Sequence, residues 1–429
     1  MPDQATRFRF TIAALLFLTV VINYLDRGNL SLVAPQVARD LRLDPVRMGW
    51  IFSAFGWSYA ICQIPGGWLV DRIRPRALYT VIIALWSLVT AGQGLASGAT
   101  VFFALRLAMG VLEAPSFPIN NRVVTCWFPE RERATAIAVY TCGQFIGLAF
   151  LTPVLMDVQF LFGWRIVFLA VGAAGMVWAA VWAVVYRDPT DARRASAAEL
   201  ELIRKGGGLP DLGGRSTGRQ PAIRARDLRK VLSRRKLWGL YLGQYAITSA
   251  QWFFLTWFPT YLVKYRGMTL QRAGLLGSIP FLAAVAGILC SGLTSDFLLR
   301  RGASLSVARK TPIVAGLWLS TLIVGANYTP SPGWIIGFMT LAFFGNGFAS
   351  ITRSLVSAMA PEHLIGLTGG VFNFMGNLSA ISVPIIIGAL VRGGDFAPAL
   401  VYIAGMALAG IVSYLFVVGR IERLPGEPA

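Results

Sequence analysis

The sequence predicts an all-α polytopic membrane protein with twelve transmembrane helices in two six-helix halves. Three observations predict it. Of the 429 residues, 55% are hydrophobic and only 14% charged, whereas a soluble domain is nearer a quarter charged. A span takes about 20 apolar residues, so this apolar content suffices for about twelve. The apolar runs recur from end to end, with one polar stretch dividing six from six. A mean hydropathy of +0.61 agrees. A disordered chain, a disulfide-rich secreted module and an ordinary cytosolic enzyme are excluded.

In order, hydropathy places spans near 11–34, 48–70, 77–96, 99–120, 133–157 and 164–186, then near 237–263, 272–298, 311–328, 333–358, 366–390 and 397–419. The first, beginning in Phe10–Val21, runs on through Asp26-Arg27 to Val33, too long for a signal peptide. The expected domains are an N-terminal half over 1–186, a basic linker over 187–236, and a C-terminal half with a short tail over 237–429.

The net charge of +19 would suit nucleic-acid binding, but the distribution of basic residues argues otherwise. Fourteen of the 39 Lys/Arg lie in 187–236, and with that linker in the cytoplasm both termini follow there. The cytoplasmic side then carries about 28 Lys/Arg and the opposite side about 8, the asymmetry of the positive-inside rule. A solvated linker accounts for 187–236, with contact to anionic lipids as the alternative. The four cysteines have no CxxC spacing and the one histidine, His363, falls in a loop, so neither a metal nor a cofactor is expected. No nucleophile–base pair or phosphate loop points to an enzyme.

An internal repeat supports two halves. Gly67-Trp68-Leu69-Val70-Asp71-Arg72 follows the second span, and Gly292-Leu293-Thr294-Ser295-Asp296 closes the eighth, with Arg300 and Arg301 beyond. Pro129-Glu130 and Pro361-Glu362 form a second echo. Gly67 would allow close helix approach, while Asp71 would pair with an arginine or cap a neighbouring helix. Contacts of Gly67, Asp71, Arg72 and Asp296 are expected to break and form during conformational change.

Five ionisable residues fall within spans: Asp26, Arg27, Arg106, Glu113 and Arg353. Each charge at the bilayer centre costs about 2.5–3.5 kcal/mol, so they must pair, face water or carry protons. Arg106 and Glu113 are two turns apart and share a helix face, and Pro115 and Pro118 weaken the helix just beyond. Asp26 and Arg27 point about 100° apart, so Asp26 would address a neighbouring helix and Arg27 a cavity. Desolvated carboxyls can take up protons near neutral pH. With both acids ionised the five sum to +1, and with both protonated to +3, so proton loading would favour an anion.

Uncharged polar residues complete the inventory. Gln244, Thr248 and Gln251 share one face of span 7, and Asn346, Ser350 and Arg353 one face of span 10, with Thr352 alongside. Asn373 and Asn377 lie in span 11, Gln144 in span 5 and Tyr59 in span 2. Such groups serve either a polyhydroxylated ligand or helix–helix hydrogen bonds. Trp252 and Trp257 read as packing or interface aromatics.

The loop after span 2 resembles the signature of the major facilitator superfamily. Asn23-Tyr24-Leu25-Asp26-Arg27, Gln63-Ile64-Pro65-Gly66-Gly67-Trp68 and Glu113-Ala114-Pro115-Ser116-Phe117-Pro118 resemble its anion:cation symporter family. Longer strings, Gly143–Pro153, Trp252–Pro259, Phe343–Thr352 and Ile365–Phe374, are similar along essentially the whole chain to the bacterial D-galactonate:proton symporters within it. The glucarate and galactarate carriers are similar but more distant. The resemblance implies a major facilitator fold and proton-coupled import of a sugar acid, D-galactonate foremost, by a monomer in the bacterial inner membrane. It implies that Asp26 and Glu113 are protonation sites, that Arg106 tunes Glu113, and that Arg27 meets the substrate carboxylate. Tyr24, Tyr59, Gln144, Gln244, Ser350, Thr352 and Asn373 would line the site. One position departs: where the galactonate carriers have tryptophan, Arg353 stands, a planar cation with five donors. A dianion such as an aldarate, stacking on unchanged galactonate, or impaired transport would each follow from it. Outside this class, a drug:proton antiporter and a non-transporting membrane sensor are the competing readings.

Overall fold

The computed structural model describes residues 6–192, 194–210, 225–361 and 364–423. His363, Glu362 and the linker residues Arg193, Arg215, Arg219 and Arg224 lie outside the described residues. The helices are α1 (Phe8–Asp40), α2 (Pro45–Arg72), α3 (Pro75–Gly94), α4 (Ala99–Glu113), α5 (Ser116–Trp127), α6 (Glu130–Phe162), α7 (Trp164–Val185), α8 (Ala197–Lys205) and α9 (Ala225–Ser233). They continue with α10 (Arg235–Thr256), α11 (Phe258–Thr260), α12 (Leu270–Arg300), α13 (Leu305–Thr321), α14 (Pro332–Phe348), α15 (Arg353–Met359), α16 (Ile365–Leu390) and α17 (Ala397–Val412). No strand occurs among the described residues.

Among the described residues, twelve long helical segments follow one another where hydropathy places them. Ten are long and apolar enough to cross a membrane by length and composition. The other two, α2 and the stretch from α10 through Tyr265, are equally long but more polar. Several spans are built from pieces. The fourth breaks at Ala114-Pro115, directly after Glu113, where proline removes a helical donor. The tenth runs through α14, a 3-10 turn at Ala349–Thr352, and α15.

The chain forms two compact units, Met1–Asn29 with Trp57–Leu151 and Val158–Pro221, and Leu30–Gly56 with Thr152–Asp157 and Ala222–Ala429. In the first, α3 packs closely along α7. A Cβ at Gly172 would lie 2.7 Å from the Ser87 carbonyl oxygen, so only glycine permits this approach. In the second, α12 and α14 pack the same way, and a Cβ at Gly347 would run into the Ala284 carbonyl. Small residues at such crossings let backbones approach, and in a lipid environment packing is what holds helices together.

Part of the basic linker is not a solvated strand. Ser196 caps α8, its hydroxyl accepting from Glu199 N at 3.2 Å. Glu199, fully buried, then receives Thr6 Oγ1 at 2.6 Å, the backbone N–H groups of Phe8 and Arg9 at 3.1 Å each, and Arg9 Nη1 at 3.2 Å. A carboxylate from a distant segment thus satisfies the first orphan donors of α1. Arg9 also pairs with Glu132 at 2.9 Å, tying the start of α6 to the same cluster. The Gly206 carbonyl accepts from Glu130 N at 2.7 Å, and Leu209 N donates to the Thr125 carbonyl at 3.1 Å. Nearby, burial pushes the Asp188 carboxyl above its ordinary value, and the Tyr186 hydroxyl donates to it at 3.3 Å. Glu199→Ala is expected to cost about 3 kcal/mol, because two backbone donors and one arm of Arg9 lose their partner. The measurement is thermal unfolding of the purified protein together with protease cutting over 187–210; an unchanged midpoint and unchanged protection would remove the clamp.

Candidate functional site

The first unit gathers its charges around one ion pair. Tyr24, Asp26 and Arg27 come from α1, Tyr59 from α2, Arg106 and Glu113 from α4 and Phe117 from α5, while Gln144 of α6 is buried in the same unit. Arg27 Nε donates to Glu113 Oε2 at 2.8 Å, with the two side chains 4% and 0% exposed. Three rings surround the guanidinium: its Cζ lies 4.7 Å from the Tyr59 centroid, 4.9 Å from Tyr24 and 6.0 Å from Phe117. The flat, weakly hydrated guanidinium suits such an enclosure better than a lysine ammonium would. Rather than reaching into open space, Arg27 is held by a carboxylate and three rings.

Asp26, on the adjacent side of α1, is fully buried, and its carboxylate makes no hydrogen bond among the described residues. The groups around it are Trp86 and Thr90 of α3, with Glu113 and Arg106 also acting on it. Arg106 is 1% exposed and donates through Nη1 to Met109 Sδ at 3.5 Å, with Glu113 and Asp26 as the carboxylates acting on it. Glu113 forms its ion pair with Arg27 on another helix, and Asn23 stands beside the same carboxyl. Trp86, Thr90, Asn23 and Phe117 were not singled out as site residues from the sequence. Only Asn23 and Phe117 carried a signal, lying inside the motif strings Asn23–Arg27 and Glu113–Pro118.

The second unit holds a cluster with no acid in it. Thr352 Oγ1 donates to Gln244 Oε1 at 3.2 Å, with both residues buried. Ser350 is half-buried, while Arg353 and Asn373 are exposed. The expected common face of Asn346, Ser350 and Arg353 does not form, because the 3-10 turn Ala349–Thr352 changes the helical phase between them. Asn346 is buried and donates to the Ile247 carbonyl at 2.6 Å, a helix–helix bond. Thr248 is turned back onto the Gln244 carbonyl at 2.8 Å. Trp257 donates to the Pro384 carbonyl at 3.1 Å and stacks edge-on with Phe52, as a packing residue does.

The motif after the second span is placed differently from expectation. The close approach is made by Gly66, whose Cβ would lie 3.1 Å from Pro115 Cγ; the space beside Gly67 is open. Asp71 and Asp296 are exposed and form no ion pair among the described residues, and Arg72 lies 3.8 Å from the Trp68 ring centroid.

The family model described as Major Facilitator Superfamily matches residues 16–308, more than half of the chain. The chain belongs to the major facilitator superfamily. Among curated relatives of this superfamily member, a D-galactonate transporter of Escherichia coli O6:H1 is 50% identical over 97% of both chains. A probable galactarate/D-glucarate transporter of Escherichia coli K12 is 42% identical, over 97% of this chain and 96% of the relative. Among solved structures, a bacterial homologue of the human lysosomal transporter Spinster, inward-facing and occupied, superposes with a TM-score of 0.71 at 18% identity, covering 97% of this chain and 96% of that one. The nucleoside transporter NupG superposes at 0.70 with 12% identity, over 95% and 99%. These two likenesses establish the fold alone. As a superfamily member with ten strongly apolar long helices, this chain is a multi-pass membrane transporter.

Proposed function

We propose that this transporter is a proton-coupled symporter that imports a sugar acid anion, D-galactonate foremost, by alternating access. The observation that carries the reading is the ion pair Arg27–Glu113 inside its ring of aromatic side chains, with Asp26 buried beside it, on a chain half identical to a D-galactonate transporter. A carboxylate substrate competes with Glu113 for Arg27. Protonating Glu113 removes the competitor, so proton uptake and anion binding support each other, and by reciprocity the anion favours the protonated state. Asp26, buried beside Trp86 and Thr90, is the second proton acceptor, and Arg106 tunes both acids.

In this reading Arg27, Tyr24, Tyr59, Gln144, Gln244, Ser350, Thr352, Arg353 and Asn373 are the substrate-binding residues. Gly67, Asp71, Arg72 and Asp296 serve the conformational change. The organisation is two six-helix halves, 1–186 and 237–429, joined by 187–236, as a monomer in the bacterial inner membrane with both termini in the cytoplasm. The protein moves its substrate unchanged and is not an enzyme. The experiment is uptake of labelled D-galactonate into proteoliposomes under an imposed inward proton gradient. Accumulation that collapses when a protonophore is added is expected; accumulation indifferent to the gradient would overturn the coupling.

A further inference from the structure

A cavity of about 400 Å³ lies within the second unit, at the end of α10 away from the linker. One wall is the corner where α1 ends and α2 begins, and the other is α11 with the π turn Tyr261–Tyr265 that follows it. With α10 spanning 22 residues, this end lies about 33 Å along the helix from the linker. The volume is that of a small-molecule site. The walls are held in place by their own packing. Trp257 donates to the Pro384 carbonyl at 3.1 Å, and a Cβ at Gly388 would lie 2.5 Å from the Pro45 carbonyl oxygen.

The lining divides by chemistry. Leu43, Met48 and Trp257 are buried, so much of the surface a ligand would meet is apolar. Arg39 on the first wall and Lys264 on the second are exposed, and neither side chain has an ion pair or hydrogen bond among the described residues. Lys264 Nζ lies 5.7 Å from the Tyr265 ring centroid. The one carboxylate of the lining, Asp44, is already engaged: its Oδ1 accepts from Arg47 N at 2.7 Å and its Oδ2 lies 3.8 Å from Arg47 Nε. Thr260 also lines the cavity at 5% exposure, and its hydroxyl has no partner among the described residues. A helical threonine can turn its hydroxyl back onto the carbonyl four residues earlier, as Thr256 does on Trp252. Thr260 does not, which leaves a buried donor beside two cations with no counter-ion.

We propose that this cavity is a second ligand site, which takes a carboxylate carried on a compact aromatic body. The guanidinium fork of Arg39 meets a carboxylate through two parallel N–H···O bonds, and Lys264 brings a point charge from the other wall. The Thr260 hydroxyl is a further donor, and the ring rests against Leu43, Met48 and Trp257. A polyhydroxylated acid is the wrong complement, because its hydroxyls would face apolar walls without partners. The site is therefore distinct from Arg27 in residues and in chemistry, and it stands independently of the sugar-acid reading. An anion that touches both walls stabilises the packing of the α1–α2 corner on α11.

The test is calorimetric titration of the purified full-length protein, in a neutral detergent, with naphthalene-2-carboxylate and with its uncharged carboxamide. The carboxylate should bind at least about tenfold more tightly than the carboxamide, since only the anion gains charge-assisted hydrogen bonds. Combining Arg39→Gln with Lys264→Gln should remove that preference; both side chains are exposed, so the fold is undisturbed. Thr260→Val keeps the shape without the unpartnered hydroxyl, and should weaken the carboxylate while raising the unfolding temperature. Arg27→Ala should bind the carboxylate as the parent does, and D-galactonate should not displace it. No binding by the parent, equal affinity for acid and amide, or a preference indifferent to residues 39 and 264 would each overturn the site. Loss of binding in Arg27→Ala, or displacement by D-galactonate, would move the probe to Arg27 and overturn it as well, leaving the sugar-acid reading intact.

Discussion

Arg27→Ala is expected to abolish sugar-acid binding, with a loss of at least about 100-fold in affinity. The substitution removes two things at once. The substrate carboxylate loses its charged donor, a hydrogen bond worth about 1.5–3 kcal/mol when one partner is ionised. The three rings that frame the guanidinium, Tyr24, Tyr59 and Phe117, lose the group they enclose and close over the gap. Glu113, with 0% side-chain exposure, is left as a buried carboxyl without its ion-pair partner, and takes up a proton rather than remain charged. The mutant should therefore stay folded but not bind. Arg27→Lys keeps the charge but not the planar fork, and should recover only part of the affinity. Binding titrations on both variants decide the matter; an affinity for D-galactonate within about threefold of the parent in Arg27→Ala would take Arg27 out of the site.

How much of this was legible in the sequence follows from what each signal measures. Hydropathy detects the apolar middle of a helix, so it located all twelve long segments but stopped short of their polar ends: α1 runs over Phe8–Asp40 where hydropathy shows 11–34. Charged residues inside spans were the most informative, because the cost of burying each one forces a partner. Their pairing was not legible. Spacing along one helix joins Arg106 to Glu113, but the ion pair reaches Glu113 from Arg27 across 86 positions, which only the packing of α1 against α4 brings together. The face expected for Asn346, Ser350 and Arg353 assumed an unbroken helix, and the Gly345-Asn346-Gly347 run gave no clear warning of the 3-10 turn that follows. Glu199 was invisible among fourteen linker cations, since its meaning lies in the start of α1 that it caps. Gly66 and Gly67 differ by one position, and only the location of Pro115 shows which of them is crowded.

Asp26→Asn and Glu113→Gln should each abolish accumulation driven by a proton gradient, while exchange of labelled for unlabelled substrate across the membrane persists. An amide imitates the protonated acid permanently, so the carrier can load and reorient with substrate but cannot release a proton. The two variants should part company in stability. Asp26 is fully buried, and Trp86, Thr90 and Arg106 offset only part of the cost of desolvating its charged form, a cost that Asn in its place removes. Asp26→Asn should therefore unfold at a temperature no lower than the parent. Glu113 is the counter-ion of Arg27 at 2.8 Å, and Glu113→Gln leaves a buried guanidinium with the rings and a neutral amide, a loss of about 3 kcal/mol or more that should lower the unfolding temperature. Measuring accumulation, exchange and thermal unfolding on the same preparations separates a coupling role from a structural one. Full gradient-driven accumulation in both variants would remove the carboxyls from proton coupling. Loss of exchange along with accumulation in Asp26→Asn would make that residue part of the conformational change itself.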